Sequence, residues 1–166
     1  MTKAKKLTVT GIMAALITIM TAYVFHIPIG VNGGYLHFGD ALIYLAAAVL
    51  PTPYALAAAA IGGGLADILT APMWAPATII IKMLIVLPFT SKPTKIVTTR
   101  NCIAAVLAYI ISGVGYFIAE FLLFETWSVL LVSMAQTFVQ SVGSAVVFIA
   151  LGLALDKAQV KNRLLK

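Results

Sequence analysis

The sequence predicts an all-α membrane protein: a single bundle of six transmembrane helices with both termini on the cytoplasmic side. Three observations predict it. The chain of 166 residues is 62% hydrophobic and 10% charged, whereas a soluble domain is near half apolar and a quarter charged. Its apolar residues gather in runs of, or near, the length of about 20 residues that crosses a bilayer. Its Lys and Arg residues lie between and beyond those runs, as charges that orient membrane helices do. A formal net charge of +6 would point to nucleic acid in a soluble protein. No basic face interleaved with exposed aromatics is present here, so nucleic acid is excluded as a partner. The length fits one membrane domain over residues 1–166.

The first run, about 7–26, follows Lys3, Lys5 and Lys6. It is too long for a signal-peptide core and lacks a small-residue cleavage site, so it reads as a span. The second (about 39–50) and third (about 54–69) are parted by Pro51-Thr52-Pro53, since proline starts helices but breaks their interiors. The fourth is about 75–89, the fifth about 103–123 and the sixth about 127–155. The second and fourth are short for a full span. With six spans, the basic groups at Lys3–Lys6, Lys92–Arg100 and Lys157–Lys166 fall on one side, the cytoplasm. The opposite loops, 28–38, 70–74 and 124–126, hold no Lys or Arg.

A hairpin of the second and third helices puts its open ends on the external face. Asp40, Asp67, Trp74 and Lys82 are therefore expected to gather there. Lys82 lies about 9 Å into the fourth helix at 1.5 Å per residue, and an ionisable group at that depth normally faces the bundle interior or a cavity. Its stem can snorkel toward Asp67, either as a helix-locking pair or as part of a ligand site. Asp40 suits a helix N-cap or a ligand contact. His26 and His37 read as interfacial, with no spaced carboxylate to make a metal site. Cys102 is alone, which leaves no disulfide framework and no cysteine metal centre.

Ser112, Tyr116 and Glu120 share one helix face, as do Gln136, Gln140 and Ser144, with Ser133 near the outer end. Interhelical hydrogen bonding accounts for the deep Gln140 and Ser144. Tyr116, Glu120, Ser133 and Gln136, further out, fit that role or a ligand role. Trp74, Trp127 and Tyr35 fit an aromatic belt or stacking on a flat ligand. Asn32-Gly33-Gly34 is a flexible bend that could serve as a lid. Gly62-Gly63-Gly64 lacks the lysine and strand of a phosphate loop and reads as a surface for close helix packing. Gly11 and Ala15 make a similar surface on the first helix, one that could dock another membrane protein.

No catalytic nucleophile, carboxylate dyad or Walker motif appears, so an enzyme is not expected and no cofactor is implied. An external pocket without a motor suggests a binding subunit that works with one. A small self-sufficient transporter and a structural membrane protein without a ligand remain as alternatives.

The stretches GGYLHFGDALIYLAAAVLP, GGGLADIL and APATIIIK resemble the substrate-binding S components of energy-coupling factor (ECF) vitamin transporters. The likeness is to the branch said to take up vitamin B6 forms or the thiamine precursor hydroxymethylpyrimidine. It rests on Gly39-Asp40, Ala66-Asp67-Ile68 and Ala75-Pro76 with Thr78 and Lys82, and spans about residues 7–90. The resemblance implies six helices and an external pocket capped by the first loop. It also implies three partners besides the vitamin: a transmembrane coupling subunit docked on Gly11, Ala14 and Ala15, and two cytoplasmic ATPases. The expected setting is the cell membrane of a prokaryote. The expected substrate-binding set is Asn32, Tyr35, His37, Asp40, Asp67, Trp74, Thr78, Lys82, Tyr116, Glu120 and Gln136. Asp40, Asp67, Glu120 and Glu125 against Lys82 disfavour an anionic ligand. A neutral or cationic heteroaromatic such as pyridoxine fits better.

Overall fold

The computed structural model describes residues 1–24, 26–28, 35–125 and 130–165, with only the backbone described at 28, 35, 36, 130–133 and 165. The helices among them are α1 (Lys3–Ala22), α2 (Gly39–Val49), α3 (Thr52–Thr70), α4 (Ala75–Val86), α5 (Thr99–Phe124), α6 (Leu130–Lys157) and α7 (Val160–Leu165). A 3-10 turn at Pro72–Trp74 leads into α4. Two short strands, β1 (Ile27–Pro28) and β2 (Tyr35–Leu36), pair antiparallel across the first loop.

Local chemistry accounts for the ends. Thr2 caps α1 by accepting from the Lys5 N–H at 3.3 Å, and Thr98 caps α5 by accepting from the Asn101 N–H at 3.2 Å. These side chains satisfy donors that the first turn leaves open. Pro53 and Pro76 sit in the first turns of α3 and α4, where a missing N–H costs nothing. The first helix begins earlier than its apolar run and stops at Ala22, so His26 falls in the loop rather than in the helix. The basic tail forms a separate helix, set off at Gln159, whose φ is 53°.

Among the described residues, four helices are long and apolar enough to cross a membrane: α1, α3, α5 and the stretch Met134–Lys157 of α6. Large apolar side chains stand exposed along them, among them Ile12, Leu16, Ile61, Leu65, Val106, Ile110, Leu122, Val142 and Val146. A soluble domain does not display so much apolar surface; this is the outward face of a membrane bundle. The two shorter apolar helices, α2 and α4, solve the length problem differently. Ala41, Ile43, Tyr44, Ala46 and Ala48 of α2 are all fully buried, and α2 touches α1, α3, α4, α5 and α6. It is the central post of the bundle, with longer helices around it. At its midpoint, Tyr44 stacks on Phe89 at 5.0 Å and meets Phe148 edge-on at 6.0 Å.

The glycine triplet is the packing surface expected of it. A Cβ on Gly62 would lie 2.7 Å from Ile17 and 2.9 Å from the Ala14 carbonyl of α1. Thr18 ties the same crossing by donating to the Gly62 carbonyl at 3.1 Å. Gly64 backs onto Ile79 of α4, so α3 is held closely on two sides.

Candidate functional site

The first turn of α2 carries Asp40, and the second half of α4 carries Lys82. Their side chains meet inside the bundle, with Lys82 Nζ 2.6 Å from Asp40 Oδ1. The other carboxylate oxygen, Oδ2, accepts from Gln140 Nε2 of α6 at 3.1 Å. Asp40 is 0% exposed and Lys82 1%. Three helices are thus pinned at one buried charge pair. Two expectations change. The ion pair expected with Asp67 is found with Asp40; Asp67 is buried on α3 and adds to the attraction on the ammonium. Asp40 does not cap α2, because Phe38 holds the N-cap position and the Asp40 oxygens are turned to Lys82 and Gln140. Gln140 makes the interhelical bond expected of it.

Aromatic side chains adjoin the pair. The Lys82 ammonium lies 5.4 Å from the centre of the Tyr116 ring, within reach of a cation–π attraction. The Tyr116 hydroxyl meets Thr78 at 3.1 Å, linking α5 to α4. Trp74, from the 3-10 turn, packs edgewise on Tyr116 at 6.3 Å and at a tilt on Phe124 at 6.1 Å. It is 8% exposed, and its indole N–H has no hydrogen-bond acceptor within the described residues. A buried donor left idle is uncommon in a protein interior.

Gly63 is what lets Lys82 lie where it does. A Cβ there would sit 2.9 Å from Lys82 Cγ, so the bare glycine surface of α3 receives the lysine stem.

His37, just before α2, is 4% exposed. Its Nδ1 accepts from the Gly39 N–H at 3.0 Å. Burial pushes its pKa down to about 3; Asp40 opposes the shift, and Lys82 and His26 add to it. It is therefore a neutral ring at neutral pH.

The structure brings together Asp40, Lys82, Thr78, Tyr116 and Trp74 from the expected set, and adds Gln140. Glu120 is buried on α5 and Gln136 is half-buried one turn before Gln140. Tyr35 is placed by backbone alone, in β2. Asn32 and Trp127 lie outside the described residues, and the Ser133 side chain does too. Of the small residues on α1, Gly11 and Ala15 face outward while Ala14 is buried against α3. Among the described residues, no group of His, Cys, Asp and Glu could hold a metal ion.

A buried polar and aromatic cluster thus lies inside an apolar bundle of the kind that membrane proteins form. The family model for the ECF-type riboflavin transporter S component matches residues 1–157, and the chain belongs to that family. Such a subunit binds substrate for a transporter and is not an enzyme by itself. An uncharacterized protein in the gap 3′ region of Pyrococcus woesei is 33% identical over 115 residues, which is 61% of this chain and 78% of the relative.

Proposed function

We propose that this chain captures a small, flat, heteroaromatic vitamin, neutral or cationic, at the Trp74–Tyr116–Lys82–Asp40 cluster, for ATP-driven import. One observation carries the reading. A lysine ammonium lies at once on a carboxylate and beside an aromatic ring, and the neighbouring indole N–H has no acceptor among the described residues. A ring with acceptor atoms can lie against Trp74 and Tyr116, take the indole proton and exchange hydrogen bonds with Lys82 and Asp40. Asp67, Thr78, Glu120 and Gln136 complete the pocket wall, with His37 just before α2. The paired β1 and β2 arms bracket Asn32, which supports a lid formed by that loop, with Tyr35 on one arm.

Vitamin B6 forms are the first candidates, because the Gly39-Asp40 and Thr78/Lys82 motifs that suggested them are the residues found together. Hydroxymethylpyrimidine presents similar chemistry. Riboflavin, the vitamin in the matched family's own description, is the third. Six helices span the cell membrane of a prokaryote with both termini in the cytoplasm. Gly11 and Ala15 on α1 offer a docking face, with Ala14 behind it, for a transmembrane coupling subunit that works with two cytoplasmic ATPases.

Titration of the purified chain in detergent, followed by tryptophan fluorescence, tests the reading. Pyridoxine, pyridoxal, pyridoxamine, hydroxymethylpyrimidine, thiamine and riboflavin form the panel. Saturable binding of one compound, lost in Lys82→Met, is the expected result. A folded protein that binds none of them overturns the substrate class.

A further inference from the structure

The opposite end of the bundle holds a half-open pocket. The connection after α4, the end of α6 and α7 line this cavity of about 430 Å³. Lys95, Lys157, Lys161, Thr94, Asn162 and Leu153 line it, together with Asp156. Its walls are fixed by hydrogen bonds. Lys161, 1% exposed, donates to the carbonyls of Ala48 and Pro93, both at 2.6 Å. Ala48 is at the far end of α2 from Asp40, so this cavity is separate from the substrate cluster. Asp156 accepts from the Ile96 N–H at 2.7 Å and the Val97 N–H at 3.0 Å. Its negative charge is therefore engaged by the backbone of the connecting loop.

The charges that remain are cationic. Lys95 and Lys157 are exposed residues with no carboxylate partner among the ion pairs of the described residues. Burial pushes the Lys161 ammonium down, with Asp156 opposing; an anion in the cavity favours its charged form. The wall also has an apolar side. Leu153 is 55% exposed and lies two turns from Val146, itself 62% exposed, on the outward face of α6. Lysines at the end of a lipid-facing apolar stripe match the two halves of a phospholipid, acyl chain and anionic head group.

We infer that this cavity binds a phosphate-bearing anion, either the head group of an anionic phospholipid or a soluble phosphate compound, through Lys95 and Lys157 with Lys161 at its base. The inference does not depend on the identity of the vitamin. Native mass spectrometry of the detergent-purified chain tests it, with phosphatidylglycerol and phosphatidylcholine added in equal amounts. Preferential retention of phosphatidylglycerol, reduced about tenfold or more in Lys95→Gln/Lys157→Gln, supports the site. Both lysines are exposed, so the double variant is expected to keep the melting temperature of the parent; Lys95→Gln alone serves if it does not. Competition with inorganic phosphate separates the sources. Displacement of the lipid at millimolar phosphate assigns the site to a soluble anion, and persistence of the lipid assigns it to a head group. Equal retention of the two lipids, with no thermal stabilisation by phosphate, overturns the inference.

Discussion

Lys82 Nζ and Asp40 Oδ1 stand 2.6 Å apart although 42 residues separate them in the chain. Neither group is accessible to water. A buried charge without its partner is costly, far more so than the intact pair is stabilising. The pair thus fixes α2 against α4, and Gln140 extends the tie to α6.

Breaking the pair from either side is expected to be expensive. Asp40→Asn and Lys82→Met should each cost about 3–5 kcal/mol. The double variant should cost less than the sum, because it leaves no lone charge. Thermal unfolding in detergent, arranged as a double-mutant cycle, measures the coupling. Additive losses would show that the two groups act independently.

The glycine triplet makes a graded prediction. Gly62→Ala drives a methyl against Ile17 and the Ala14 backbone carbonyl, which cannot swing aside. Gly63→Ala meets the flexible stem of Lys82. Overpacking of this kind typically costs about 1–3 kcal/mol, with Gly62→Ala the worse for stability. Gly63→Ala should show its effect in vitamin affinity, through a displaced ammonium. Melting temperatures and titrations of the two variants separate these outcomes.

His37 gives a pH dependence whose sign can be worked out. Its folded pKa, about 3, lies below the ordinary histidine value of 6.5. Between those values the unfolded chain binds a proton that the folded chain refuses, so acidification favours unfolding. The stability contribution is fully present above pH 6.5 and declines toward pH 3, by up to about 1.4 kcal/mol per pH unit. Melting temperatures from pH 7 to pH 5 should fall more steeply in the parent than in His37→Gln. Parallel slopes would mean that His37 can accept a proton in place.

Much of this was legible in the sequence, for physical reasons. Apolar run length and proline placement gave the helices within a few residues, because both act locally. The glycine triplet could be read as a packing surface, since only a missing side chain allows backbones so close. The partner of Lys82 could not be read in the same way. Asp67 and Asp40 are both carboxylates at the same end of the bundle, and only the rotation of α2 and α3 about their axes chooses between them. The clamp of Lys161 on Ala48 and Pro93 was hidden for a related reason. A lysine in a basic tail looks like a topology signal, and its acceptors are main-chain carbonyls that no side-chain pattern reveals. Gln140 gave the clearest polar signal: an amide deep in an apolar run has to find a partner.

Trp74 offers the sharpest separation of stability from binding. Its indole N–H is buried without an acceptor among the described residues, so removing that donor takes none of the hydrogen bonds described there. Trp74→Phe keeps a ring against Tyr116 and Phe124 and deletes the N–H. Its melting temperature is expected to match or exceed that of the parent, apart from a small loss of packing volume. Affinity for the vitamin should fall about tenfold, the worth of roughly one hydrogen bond of 0.5–1.5 kcal/mol at its upper end. Calorimetric titration measures this without relying on the tryptophan signal. Trp74→Leu, which also removes the ring, should lose more affinity than Trp74→Phe. If Trp74→Phe binds as tightly as the parent while Trp74→Leu does not, the ring alone recognises the ligand and the indole proton has no part in it.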